Sequence, residues 1–160
     1  MQAGSVDGAR SGDEAGPGAP YGVIERLRTV GLRPTQQRVA LGELLFGDGN
    51  RHVTAESLYE EAVARGVKVS LATVYNTLNQ FREAGLLREV VVRAGKSYFD
   101  TNTETHHHFY DEQTGRIEDL HLDVDEDDLR QMVEVPDGKR ITGVDIVVRL
   151  ANQGSSRSGS

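Results

Sequence analysis

Three consecutive histidines, His106-His107-His108, are the densest chemistry in the chain, and they stand in a stretch rich in carboxylates. On an extended strand His106 and His108 share one face while His107 points to the other. Two imidazoles at i and i+2 can grip one metal ion or present an axial ligand to a haem iron. Asp100, Glu104, Asp111 and Glu112 could complete a hard-donor site, and His121, Glu118 and Glu126 could gather near His107. The competing reading is a solvated histidine run beside an acidic surface. The chain has no cysteine, which excludes a disulfide framework, a thiolate zinc site and a cysteine nucleophile. A site without thiolates should exchange its ligand more readily than a structural four-cysteine zinc site, which suits a sensor. The sequence carries no HExxH, no GxSxG and no phosphate loop, so it is expected not to be an enzyme.

A second set of residues has the chemistry to read DNA. Ser70, Thr73, Tyr75, Asn76, Asn79 and Gln80 fall on one side of the helix expected over Leu71–Ala84, while Val74, Leu78 and Phe81 recur at i, i+4 and i+7 on the other. Such an outward face can hydrogen-bond base edges or touch thymine methyls in a major groove. Phosphate contacts would come from Arg33, Arg38, Lys68, Arg88, Arg93 and Lys96. A polar surface helix beside an ordinary hairpin is the plainer reading of the same residues.

The elements that must position these groups follow from hydrophobic spacing and punctuation. Val23, Ile24, Leu27 and Val30 predict a first helix that Gly31 can end. Thr35 is an N-cap for a second helix with Val39, Leu41, Leu44, Leu45 and Phe46 inside. Thr54 caps a third that Gly66 stops, and Ser70 caps the fourth, which Gly85 ends. Leu86–Val92 and Ser97–Asp100, joined by Arg93-Ala94-Gly95-Lys96, predict a hairpin. Short helices followed by a two-stranded ribbon are the layout of a winged helix-turn-helix.

Further on, strands are expected over His106–Asp111, Arg116–Leu122 and Arg140–Leu150, with a helix from Asp123 or Asp125 to Met132. The fold class is therefore α+β: a winged helix-turn-helix, then a small α/β dimerisation unit with a three-stranded antiparallel sheet. Three strands and one helix make a thin core, and such a unit usually buries an open face against its own copy. A two-fold dimer also matches two DNA half-sites.

Domain organisation and charge point the same way. Residues 1–20 and 151–160 are Gly/Ala/Ser-rich and are expected to be disordered tails, leaving a DNA-binding unit over 21–95 and a sensing and dimerisation unit over 96–150. The net charge is −7, yet residues 21–95 carry ten basic and eight acidic side chains while 96–150 carry six and fourteen. Phosphates feel charges only within about a Debye length, ~8 Å in physiological salt, so the local charge of the reading face outweighs the total. No apolar run marks a signal peptide or a membrane span, so no membrane partner and a cytoplasmic location are expected.

GLRPTQQR (31–38), HVTAESLYEEA (52–62), VSLATVYNTLNQFREAGLL (69–87) and the histidines after KSYFD (96–100) resemble, in that order, the ferric uptake regulator (Fur) family. Within it, TVYNTLNQF with three histidines and no thiolate pairs is similar to the iron response regulator branch. The resemblance implies a dimeric repressor that controls iron and haem homeostasis genes from an AT-rich inverted repeat on double-stranded DNA. It implies base contacts from Tyr75 and Asn76, and a minor-groove or backbone contact from Arg33. It implies an interdomain metal site of His52, Asp100, His106 and His108 for Mn²⁺, Fe²⁺ or Zn²⁺, or haem held through His106, His107 and His108. Asp111-Glu112-Gln113-Thr114 stands where the family has Cys-x-x-Cys, so a structural zinc site is not expected.

Overall fold

The computed structural model describes residues 20–154. Of the tails expected over 1–20 and 151–160, residues 1–19 and 155–160 lie outside the described residues. Four helices open the fold: α1 (Pro20–Thr29), α2 (Gln36–Phe46), α3 (Ala55–Ala64) and α4 (Leu71–Glu83). Each predicted cap is made. The Thr35 hydroxyl accepts the Arg38 N–H at 3.2 Å, and Ser70 Oγ accepts the Thr73 N–H at 3.1 Å. Thr54 and Ser57 satisfy each other's backbone N–H groups in a capping box at 3.0 Å. At the far end of α4, Gly85 takes φ +81°. This lets the Leu86 N–H reach the Phe81 carbonyl at 2.8 Å and the Gly85 N–H reach that of Arg82 at 3.0 Å, a stop that a side chain at Gly85 would strain.

The apolar faces meet in one core. Leu27, Leu41, Leu45, Leu58, Val74, Leu78 and Phe81 have no accessible surface. Gly42 sets how closely α1 lies on α2, because a Cβ there would fall 2.6 Å from Val23 Cγ1. β1 (His52–Val53), β2 (Arg88–Arg93) and β3 (Lys96–Asp100) form an antiparallel sheet ordered β1-β3-β2. Phe99 closes the helical core from this sheet. Residues 96–100, which open the second unit in the sequence reading, are thus the central strand of the first sheet. A hairpin strand must pair with its partner, so the chain crosses to the second unit through residues 101–106.

The second unit contains β4 (His107–Asp111), β5 (Ile117–Leu120), the short helix α5 (Glu126–Gln131) and β6 (Val147–Leu150). Its sheet is ordered β5-β4-β6. It is mixed, not wholly antiparallel: β5 runs antiparallel to β4, but β6 runs parallel to it. The chain returns along β5, and the connection carrying α5 then passes β4 to reach its other edge. β6 is shorter than the strand expected over 140–150, since residues 140–146 adopt no strand. The turn after β4 is held by Asp111, whose Oδ1 accepts the N–H groups of Gln113 at 2.8 Å and Thr114 at 3.2 Å. Val90, Val92, Tyr98 and Tyr110 form a second small core between the two sheets. No described helix is long and apolar enough to cross a membrane.

Candidate metal centre and nucleic-acid interface

Two cross-strand pairs bring five donors together. In the first sheet His52 of β1 lies opposite Asp100 of β3; in the second, His108 of β4 lies opposite Asp119 of β5. His106 joins them from the connection. One donor atom from each of the five lies within 4.8 Å of all the others. The Nε2 atoms of His52, His106 and His108 lie 3.0, 2.7 and 2.9 Å from Asp100 Oδ2. From Asp119 Oδ1 the same three lie at 3.0, 3.2 and 3.7 Å. Separations near 3 Å are those expected between neighbouring ligands bonded to one ion at roughly 2.0–2.2 Å.

The local chemistry fits a cation. His106 Nδ1 is 2.7 Å from the Glu104 carbonyl oxygen, which can only accept, so Nδ1 carries a proton. A neutral His106 then turns a bare Nε2 toward the Asp100 carboxylate, and two acceptors 2.7 Å apart repel unless a positive charge lies between them. Among the described residues, the buried atoms His52 Nε2 and Asp119 Oδ1 have no hydrogen-bond partner, although they lie only 3.0 Å apart. Both belong to the set of five donor atoms that lie within 4.8 Å of one another.

The charges respond to this crowding. Burial works to lower the His52 pKa, but the adjacent Asp100 carboxylate, helped by that of Asp119, raises it above the ordinary value. Burial works to raise the Asp100 pKa, but the hydrogen bond from His108, the neighbouring His52 imidazole and the Asn102 N–H pull it well below the usual carboxylate range. Protons and an ion would therefore compete for the same donors.

The flanking residues fix these donors. Arg51, next to His52, forks onto Glu61 at 2.8 and 3.1 Å and reaches the Leu44 carbonyl at 2.9 Å. Thr101, next to Asp100, accepts the Arg51 N–H at 2.8 Å and donates its own N–H to the Arg51 carbonyl at 3.1 Å.

Other candidates fall elsewhere. His107 is buried on the opposite face of β4, where Nδ1 accepts the Ile146 N–H at 3.1 Å. Glu104 contributes its carbonyl, Asp111 is spent on its turn, and Glu118 pairs with Arg116 at 2.7 Å. His121 lines a separate cavity of about 250 Å³ beside His106 and His107. In the sequence Asp119 is no more than one member of the strand expected over Arg116–Leu122; it is the β4–β5 register that brings it to the histidines.

On α4, Val74, Leu78 and Phe81 are buried and Tyr75 and Asn76 are exposed. The Tyr75 hydroxyl donates to Glu56 Oε1 at 2.5 Å. Ser70 and Thr73 bond each other at the helix start, their hydroxyls 2.9 Å apart. Gln80 is engaged within the fold: its Oε1 accepts from Arg38 Nε at 3.2 Å and Nη2 at 2.9 Å. Arg38 also donates to the Arg33 carbonyl at 2.9 Å, steadying the loop that presents the exposed Arg33. Of the expected phosphate contacts, Lys68 and Arg93 are exposed. Arg88 instead faces the second unit, and Lys96 lies 5.6 and 5.7 Å from the Tyr98 and Tyr110 rings.

Residues 29–147 match the model of the ferric uptake regulator family, and the chain belongs to that family. It is 36% identical over 98 residues to the peroxide-responsive repressor PerR of Staphylococcus epidermidis, spanning 61% of this chain and 65% of that protein. It is 43% identical over 82 residues to the ferric uptake regulation protein of Shigella flexneri, spanning 51% of this chain and 55% of that protein. The chain thus spans between about half and two thirds of the length of these relatives. The structure of the ferric uptake regulator of Pseudomonas aeruginosa with manganese is similar with a TM-score of 0.66 at 27% identity, covering 82% of this chain and 98% of that one.

Proposed function

We propose that this protein is a dimeric transcriptional regulator whose grip on double-stranded DNA responds to one divalent ion, Mn²⁺, Fe²⁺ or Zn²⁺, held by His52, Asp100, His106, His108 and Asp119. The observation that carries this reading is the division of donors between two sheets: His52 and Asp100 stand on the sheet that ends in the wing, and His108 and Asp119 on the other. An ion there supplies fixed positive charge and directed bonds to imidazole and carboxylate ligands. Residues on both sides must close on one centre, and that closure fixes the angle between the reading head and the second unit. Arg33, Tyr75 and Asn76, with Ser70 and Thr73 at the start of α4, serve as the reading face on an AT-rich inverted repeat. The exposed Met132, Val133 and Val135 of the second unit supply apolar surface for a second copy.

Geometry favours an ion over haem at His106–His108. The His106 and His108 rings stand 4.4 Å apart and converge on carboxylates. The adjoining cavity of about 250 Å³ is smaller than the ~300–1,000 Å³ typical of organic-ligand sites. His107, the third residue of the haem reading, faces away.

The test is fluorescence anisotropy on an AT-rich inverted repeat with Mn²⁺, Fe²⁺, Zn²⁺, haem or chelator. The expected result is at least tenfold tighter binding with one of the ions, lost in His106→Ala/His108→Ala. Ion-independent affinity, or a response to haem alone, would overturn the reading. Since one relative is named peroxide-responsive, adding hydrogen peroxide to the Fe²⁺-loaded complex separates an ion sensor from an oxidant sensor.

A further inference from the structure

We propose that Arg88 is a positioning residue that ties the candidate metal centre to the wing and to the edge strand β6; the proposal deepens the metal-responsive reading above and rests on it. Arg88 opens β2, where its backbone lies opposite Asp100. Its side chain turns away from the reading face to the second unit. Nη1 donates to the Glu104 carbonyl at 2.8 Å, the same carbonyl that accepts His106 Nδ1 at 2.7 Å. Nη2 donates to Asp145 Oδ1 at 2.5 Å. One guanidinium therefore spans the group that orients a metal-binding histidine and the residue that leads into β6.

Each end of this bridge has a defined consequence. A histidine ligand is aimed and made more basic by the acceptor on its other ring nitrogen. Glu104 is exposed, and its carbonyl accepts from Arg88 as well as from His106. At the other end, Asp145 directly precedes Ile146, whose carbonyl accepts the His108 N–H at 3.0 Å and whose N–H binds His107 Nδ1 at 3.1 Å. Displacement of Asp145 thus reaches the strand that carries His108. Arg149 adds a parallel tie, donating from β6 to the Val92 carbonyl on the wing at 3.1 Å. A planar fork can hold both partners at once; a lysine ammonium in its place would be a single point on a flexible stem.

The experiment titrates Mn²⁺ by dye competition and Co²⁺ by its visible absorption into the full chain, as wild type, Arg88→Ala, Arg88→Lys, Asp145→Asn and the Arg88→Ala/Asp145→Asn pair. Circular dichroism checks the fold, and each protein is also assayed for the ratio of operator affinities with and without Mn²⁺. Arg88→Ala should weaken Mn²⁺ binding roughly 10–100-fold, the range for loss of an outer-shell partner, and reduce the Mn²⁺-dependent ratio. Arg88→Lys should restore little of either, and the Co²⁺ absorption should shift in a folded variant, which loss of stability alone would not produce. Asp145→Asn should reduce the ratio, and its effect should be less than additive with Arg88→Ala. Mn²⁺ affinity and ratio within twofold of wild type in Arg88→Ala would overturn the proposal; if that variant does not fold, the same outcome in Asp145→Asn does so. A wild type that takes up neither ion overturns the metal reading itself, and this proposal with it.

Discussion

Asn76 shows how a single side chain divides two kinds of grip. It is exposed on α4 while its neighbours Thr77 and Leu78 are buried, so its amide is available to pair with a base edge. Arg93, exposed at the end of β2, is read as a phosphate contact, which charge-assisted hydrogen bonds make without regard to sequence. Asn76→Ala should cost about 1–3 kcal/mol on the preferred sequence and blur preference at one position. Arg93→Ala should weaken all sequences alike and lower the salt slope by about 1. Affinity measured on matched and scrambled duplexes at several salt concentrations separates the two; equal losses on both duplexes for Asn76→Ala would remove it from base reading. The Tyr75 hydroxyl, by contrast, already has a protein partner in Glu56, which no spacing in the sequence announces.

At the scale of elements, the Arg51–Glu61 fork joins α3 to the segment that presents His52. Glu61 is only partly exposed, at 26% of its side chain, and the Arg51 guanidinium holds its pKa below the ordinary carboxylate value. A depressed carboxylate stabilises the fold above its unfolded pKa, and the contribution is lost as pH falls through the folded value. Glu61→Gln should therefore cost about 1–2 kcal/mol near neutrality, and the gap from wild type should close as pH drops below about 4.5. Denaturant unfolding of both proteins across pH 3–7 measures this; a gap that persists unchanged at pH 3 would mean the fork contributes by packing alone.

Legibility in the sequence followed locality. Thr35, Thr54 and Ser70 were readable as caps because a cap is a contact three residues long. Val74, Leu78 and Phe81 were readable because helical spacing alone puts them inward. The reversed direction of β6 was not, because parallel and antiparallel partners share one alternation. Asp119 was missed for the same reason: its place depends on strand register, not on distance along the chain. His52 entered only through family resemblance. A two-residue strand leaves no periodic trace, so nothing local ties it to the histidines some fifty positions away.

At the scale of the molecule, the donors are split into two half-sites, neither of which offers more than three ligands. Binding at such a site reports how the halves are turned. Any operator that holds the head in its ion-bound pose prepays part of the ion's ordering cost. Thermodynamic linkage then requires equality: whatever factor the ion adds to DNA affinity, operator DNA must add to ion affinity. Mn²⁺ titrations of the protein with and without saturating operator should yield that same factor, and an unequal pair would place the response outside this binding cycle. A promoter that is a better geometric match would then also draw the ion more avidly. Genes under one such regulator would switch in sequence as cellular metal rises, each at a threshold written in its own DNA.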